Sequence, residues 1–440
     1  MKEKIRIGCG AGFSGDRIEP ALILTEKGSL DYLVLECLAE RTIALAQKRK
    51  LQNPEFGYDV LLEKRLKDLL PLLLQYKTRL VTNMGAANPI AGAKRIIELA
   101  KSQNLSIKVA AVIGDEVLEF ISGEEHSLEN NRPVQSEGKL LSANAYLGVE
   151  AILPALASDA DIIITGRVAD PSLFLAPMIY EFGWGLDQFE LLGKGTVLGH
   201  LLECAGQLTG GYFADPVSKP IPGLDQLGHP FVDVFPGGRG VISKVEGAGG
   251  VISQRIAKEQ LLYEVLDPHH YITPDVVADF STVQFEEIAF DQLQVTGGCG
   301  IERPEKYKVS VGYEAGFKGE GEISYAGSHA VERARLAGEI IEKRIKGLVP
   351  NLRVDLIGLN SLHPNDLSKN SNPYEVRLRV AGMCKTLEQA QLIGEEVEAL
   401  YTNGPAGGGG ARKMVTQVVG VVSTLLDRNQ IKPDFQLLST

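Results

Sequence analysis

Paired cysteines, an excess of basic residues and long apolar runs are all missing from this 440-residue chain. Its five cysteines, Cys9, Cys37, Cys204, Cys299 and Cys384, are odd in number and scattered. No C-x-x-C pair or zinc-ribbon spacing is present, which points to reduced thiols in a cytosol. Lysine and arginine number 45 against 56 acids, a net charge of -11. A surface that tracks a phosphate backbone needs clustered cations, so nucleic acid is not an expected partner. No uninterrupted apolar segment reaches the roughly 18–20 residues that span a bilayer, and the N-terminal MKEKIRIGCG lacks a secretory apolar core. The expectation is a cytoplasmic protein with no membrane partner.

What is present is a large, glycine-rich globular composition. Hydrophobic residues make up 44% and charged residues 23%, with 48 glycines, and the length suggests two or three domains. Short apolar runs at 5–9, 31–36, 79–83, 107–114 and 161–166 alternate with amphipathic stretches such as DVLLEKRLKDLLPLLLQYK and IAGAKRIIELAKSQ. That order predicts βαβ units and an α/β fold, with a mostly parallel, doubly wound, Rossmann-like sheet in the N-terminal part. Residues 285–440 change character. Alternating strands such as YKVSVGYEA and EVRLRVAGM are followed by helical runs, so an α+β domain of repeated β-β-α units with a C-terminal tail is expected there. Residues 1–284 form the expected catalytic or binding domain. Within it 205–284, rich in Gly, Pro and His, is a long loop region that is functional or holds unrecognised strands.

The stretch RIGCGAGFSGDR at 6–17 carries the G-x-G-x-x-G spacing, and Glu36 lies where a ribose-binding acid would fall. An NAD(P)-dependent oxidoreductase is therefore one reading. Against it, Asp16 and Arg17 follow the glycines at once and Pro20 comes soon after, so the helix starts beyond the glycine run rather than within it.

Ligands of open parallel sheets bind outside the carboxyl ends of the strands. All five strand exits are polar here: GAGFSGDR, ECLAERT, TNMGAANP, GDE and TGRVADPS. They supply Asp16, Glu36 and Glu40 as candidate acids or bases, and Gly12, Ser14, Arg17, Arg41, Asn83, Gly85, Arg167 and Asp170 as candidate substrate-binding residues. Arginines facing carboxylates suit an anionic substrate with a proton donor near its reactive carbon. The plainer alternative is solvated loops with internal ion pairs. Asn88 is placed to cap the helix starting at Pro89, and Asp170 to cap one starting near Pro171.

Other groups remain open at this level. His200, Glu203 and Cys204 share a helical face and suit either a metal or a buried, satisfied histidine; no metal site is assigned. Cys37 is a thiol near a helix start or simply buried. His269 and His270 suit acid-base work or a solvated turn. GPAGGGGARK at 404–413 is an anion nest or a hinge and lacks the P-loop pattern.

With these residues in view, the chain resembles the acyclic terpene utilisation family, the AtuA-like proteins. The matching stretches are GAGFSGDR, DYLVLECLAERTIALAQ, TNMGAANP, TGRVADPSL, GHLLECAGQLTGGYFADP and KVEGAGG. The family is named for growth on citronellol and geraniol, whose catabolism runs through branched acyl-CoA thioesters. The resemblance implies a pathway rather than a mechanism. Together with the polar exits it gives the expectation of a non-redox lyase or hydratase-type step on a small carboxylate or acyl-CoA, with no cofactor assigned. The alternatives are the oxidoreductase and a non-catalytic subunit of a two-chain complex; a homo-oligomer or a small partner subunit is compatible with either.

Overall fold

The computed structural model describes residues 2–363, 367, 368 and 370–440. The chain divides into two compact units. The first comprises 1–136, 140–312 and 421–440, and the second 137–139 and 313–420.

All five apolar runs of the N-terminal part are strands. They are β1 (Ile5–Ala11), β2 (Tyr32–Leu35), β3 (Arg79–Thr82) and β4 (Lys108–Ile113), then, after β5 (Leu140–Ala145), β6 (Ile162–Thr165). The order β1-β2-β3-β6-β4 is parallel throughout. These strands are buried along almost their whole length, as a sheet covered on both faces requires.

One face carries α1 (Glu19–Lys27), α3 (Leu62–Tyr76) and α4 (Pro89–Ser102), whose Leu24, Leu66, Leu69, Ile96 and Ile97 pack on Leu33, Leu35 and Leu80. α2 (Glu40–Gln52) follows β2 directly. Later in the chain come α5 (Val149–Ala157), α6 (Ser172–Phe182) and α7 (Phe189–Glu203), the last two buried almost all round.

The region 205–284, rich in turn residues, holds further strands. β7 (Pro230–Val234) pairs antiparallel with β1, and β8 (Gly240–Lys244) with β7. α8 (Gln254–Leu262) is capped by Ser253, whose side chain accepts from Ile256 N. β9 (Tyr271–Ile272) and β10 (Val277–Asp279) follow. The hairpin β11 (Gln284–Ala289) and β12 (Gln292–Thr296) extends the large sheet beyond β8, while β13 (Cys299–Ile301) pairs with β10 in a small three-stranded sheet. The final segment, expected as a tail, is a strand, Asp434–Ser439, antiparallel to β4.

The sheet is thus ten-stranded and mixed, in the order β11-β12-β8-β7-β1-β2-β3-β6-β4 and the C-terminal strand. Four of its neighbour pairings are parallel and five antiparallel, which corrects the expectation of a mostly parallel Rossmann-like sheet. Helix-sized connections dictated the parallel centre; short turns, as between β7 and β8, permit only antiparallel neighbours.

In the second unit the strand β14 (Lys306–Ala326), which starts in the first, leads to α9 (Ala330–Ile345), β15 (Asn351–Ile357), β16 (Glu375–Cys384), α10 (Leu387–Asn403) and β17 (Gly409–Asp427). The order β15-β16-β14-β17, with β16 antiparallel to both neighbours, is a split β-α-β arrangement. Ala334, Ala337 and Ile341 of α9 and Ile393 and Val397 of α10 share its core with Leu378 and Val380.

Candidate functional site

The first strand exit is a tight loop closed by its own side chain. Asp16 Oδ2 accepts from Gly12 N at 2.7 Å. Arg65, fully buried on α3, donates to the carbonyls of Ser14 (2.8 Å), Asp16 (2.6 Å) and Arg17 (3.4 Å). A guanidinium with its fork spread over three carbonyls fixes the loop more firmly than any neutral donor. Gly12 is needed because a Cβ there would lie 2.5 Å from the Cys204 carbonyl carbon and 2.8 Å from Glu203 O. The glycine loop therefore packs against the C-terminal end of α7.

That contact decides against the dinucleotide motif. The amide of Gly12, which a pyrophosphate would need, is taken by the Asp16 carboxylate, and α1 begins only at Glu19, beyond the glycines. These residues do not fit a nicotinamide dinucleotide.

The loop, the start of α2 and the end of α7 enclose a cavity of about 800 Å³, within the size range of small-molecule sites. Of the sequence candidates, Gly12, Ser14, Asp16, Arg17, Glu36, Glu40 and Asp170 line it. Arg41, Asn83, Gly85 and Arg167 do not. Arg41 is exposed at the start of α2. Asn83 stands behind the wall and positions it: Nδ2 donates to Glu36 Oε1 at 2.9 Å, and Oδ1 accepts from Cys37 N at 2.7 Å. Gly85 lets its loop approach β6, since a Cβ would lie 2.5 Å from Thr165 O.

Arg167 is buried and its donors go to the protein. Nε donates to Val168 O at 2.9 Å, Nη1 to Leu38 O, and Nη2 to Val168 O at 2.6 Å and to Asp170 Oδ1. The ring of Tyr146 lies 4.3 Å from its guanidinium carbon. Asp170 is thus an ion-pair partner, and its side chain does not cap α6. Arg17 donates to the carbonyls of Leu224 and Asp225, the latter at 2.9 Å. Asn88 does cap α4, accepting from Ala91 N.

The electrostatics of the cavity are acidic. Asp16, Glu36, Glu40, Asp170, Glu203 and Glu264 line it, and Arg17 is the single arginine or lysine among the described lining residues. Burial pushes the Glu36 carboxyl well above its usual range, with the Asp170 charge adding to it, and Asn83 and Arg167 only partly offset this. Both hydrogen bonds Glu36 accepts, from Leu38 N and Asn83 Nδ2, fall on Oε1. Glu40 behaves oppositely: burial raises it, but the Tyr146 hydroxyl at 2.5 Å and the charges of Lys308 and Arg167 bring it down to about 2.

Glu203 is open at the level of sequence between a metal and a structural role. It lies at the end of α7, where Oε1 is 2.8 Å from His200 Nδ1, and its other oxygen is buried with no hydrogen-bond partner. Burial pushes Glu203 up to about 7 against the pull of His200. His200 in turn is lowered by burial but raised further by the Glu203 charge and hydrogen bond, so its net shift is upward. Its Nε2 faces Leu261 O at 3.2 Å, and its ring packs on Tyr271 and Phe280. No group of three or more His, Cys, Asp or Glu among the described residues is arranged to hold a metal ion.

His229, unsignalled in the sequence, lines the cavity with Nδ1 buried and unpartnered, and burial keeps it neutral by lowering its pKa. Tyr146, Cys204 and Tyr263 complete the inner wall, and Phe13, Tyr212 and Leu224 are its exposed apolar members. His269 and His270 are exposed and face Asp279 and Asp267. The thiol of Cys37 is buried and pushed well up by that burial. The 404–413 run leads into β17, with Lys413 2.5 Å from Glu398.

Among known proteins, the family described as acyclic terpene utilisation family protein AtuA matches residues 5–437. No curated protein and no solved structure matches. No helix among the described residues is long and apolar enough to cross a membrane.

Proposed function

The chain belongs to the acyclic terpene utilisation family, and on that footing we propose that it catalyses a non-redox lyase or hydratase-type step on a small branched carboxylate or acyl-CoA. The observation that supports this reading is the presence of two buried carboxyls, Glu36 and Glu203, on the wall of one cavity with different surroundings. Buried carboxyls with different hydrogen-bond partners, Asn83 for Glu36 and His200 for Glu203, are suited to divide donor and acceptor roles. Glu36, held protonated by burial, donates a proton to one carbon of a double bond. Water attacks the other carbon, and Glu203 accepts the proton that this water loses, with His200 hydrogen-bonded behind it. In the reverse direction the same groups remove water. The exposed Phe13, Tyr212 and Leu224 supply apolar surface for a branched chain.

Incubation of the protein in deuterated water with branched isoprenoid acids and their CoA thioesters, followed by mass spectrometry, tests the reading. Deuterium incorporation or a gain of water is expected. Glu36→Gln and Glu203→Gln should each slow it by roughly a hundredfold or more. Rates close to the parent in both variants would refute the assignment.

A further inference from the structure

A second cavity adjoins the first inside the same unit. It measures about 330 Å³ and shares two residues with the larger one, Tyr146 and Asp170. Its charge is of the opposite kind. Apart from Asp170, already held by Arg167, its charged lining residues are Lys306 and Lys308. The shared wall is Tyr146. Its hydroxyl is fixed on Glu40, Arg167 lies 4.3 Å from its ring centre, and Lys308 Nζ lies 4.8 Å from that centre.

We propose that this side chamber is the subsite for the anionic head of the substrate, and that the head is a free carboxylate; the proposal rests on the proton-transfer reading above and narrows its substrate class. Three observations lead there. Even with Glu36 protonated and Asp170 paired to Arg167, the acidic side chains of the large cavity outnumber its single described cation, Arg17, so a carboxylate-bearing substrate needs its charge placed elsewhere. Both lysines have only weak claims on their present partners: Lys308 is 3.2 Å from Glu40 and Lys306 is 3.7 Å from Asp427, all four side chains being roughly half exposed. Pairs of that kind contribute about 0–1 kcal/mol, so a ligand carboxylate exchanges into them at little cost. Finally, Ile272 and Leu425 give the chamber apolar wall for the carbons next to the head. The volume of the chamber suits a carboxylate and a few carbons. A chain anchored by its head there passes Tyr146 and Asp170 into the acidic cavity, where its double bond meets the two glutamates.

Isothermal titration of the full chain with citronellic acid, its methyl ester and citronellol tests this directly. The parent should bind the acid about tenfold or more tightly than the ester or the alcohol, and raising the salt should weaken only the acid. In the double variant Lys306→Gln, Lys308→Gln the preference should vanish while ester affinity stays within about twofold of the parent. Equal affinity of the parent for acid and ester, an undiminished preference in the double variant, or no binding of the acid would each overturn the proposal. Glu203→Gln separates the two readings, because it should retain the acid preference and lose proton exchange. If it exchanges at the parent rate while the lysine variant loses its preference, the proton-transfer assignment fails and the subsite stands.

Discussion

Replacing Arg65 by methionine should loosen the glycine loop and cost the chain about 2–4 kcal/mol. The guanidinium makes two short bonds to carbonyls of the loop, Ser14 at 2.8 Å and Asp16 at 2.6 Å, and one long bond to Arg17 at 3.4 Å. Each short bond to a charged donor contributes about 1.5–3 kcal/mol, and the long one little. From their sum must be taken the cost of holding a charge at zero exposure, with its Nε buried and unpartnered, which methionine relieves. Methionine also keeps most of the packing of the arginine stem, so little of the loss comes from a cavity. For a unit this large the net figure corresponds to a fall of roughly 3–6 °C in the unfolding midpoint. Differential scanning calorimetry of the full chain measures it, and amide exchange over 12–17 shows where the loosening lies. A midpoint within about 2 °C of the parent, with unchanged exchange in the loop, would refute the role given to Arg65.

Gly12→Ala and Gly15→Ala should differ sharply. The first methyl meets the backbone of Glu203 and Cys204, for about 1–3 kcal/mol in urea unfolding. The second meets only the ring of Phe13, which is 59% exposed and able to turn, for under about 0.5 kcal/mol. The third prediction concerns pH. Glu203 and His200 both bind protons more tightly folded than unfolded, so their contribution to stability is greatest at low pH; that of Glu203 falls as pH rises from the usual 4.5 through about 7, and that of His200 falls only above the usual 6.5. Glu203→Gln should flatten the stability profile in that window and bring the imidazole titration of His200, followed by NMR, downward; an unmoved titration would dissociate the pair.

The parallel centre of the large sheet was legible because its strands are apolar runs with polar exits, most of them followed by a helix-length amphipathic segment. The antiparallel flank was not. β7 starts at a proline, β8 starts at a glycine, and the turn between them, PGGR, gives a composition that reads as loop. In the site, the carboxylates at the exits were found by position, and Asp16, Glu36, Glu40 and Asp170 do line one cavity. The partners of the arginines were not legible, because charge in a sequence does not reveal what it pairs with. Arg167 spends its donors on Leu38, Val168 and Asp170. Arg65 was overlooked although a signal existed, since it falls on the buried stripe of α3 formed by Leu62, Leu66, Leu69, Leu70 and Leu73. A lone cation on an apolar helical face has to be satisfied by something. Glu203 and His229 come from segments some 200 residues beyond the glycine loop, and only tertiary folding brings them to it.

The edge strand Asp434–Ser439 of the large sheet follows the second unit in the sequence, and this orders events during synthesis. All but three residues of the second unit, 313–420, form one continuous stretch and are complete before the first unit is. The first unit must wait for Asp434–Ser439 to cover β4. Until then the nascent chain carries an apolar strand with an open row of amides and carbonyls, the surface most prone to pair with a neighbouring chain. Deleting Asp434–Ser439 would therefore leave the whole cavity encoded and yet produce a sticky protein, whose defect lies in solubility rather than chemistry.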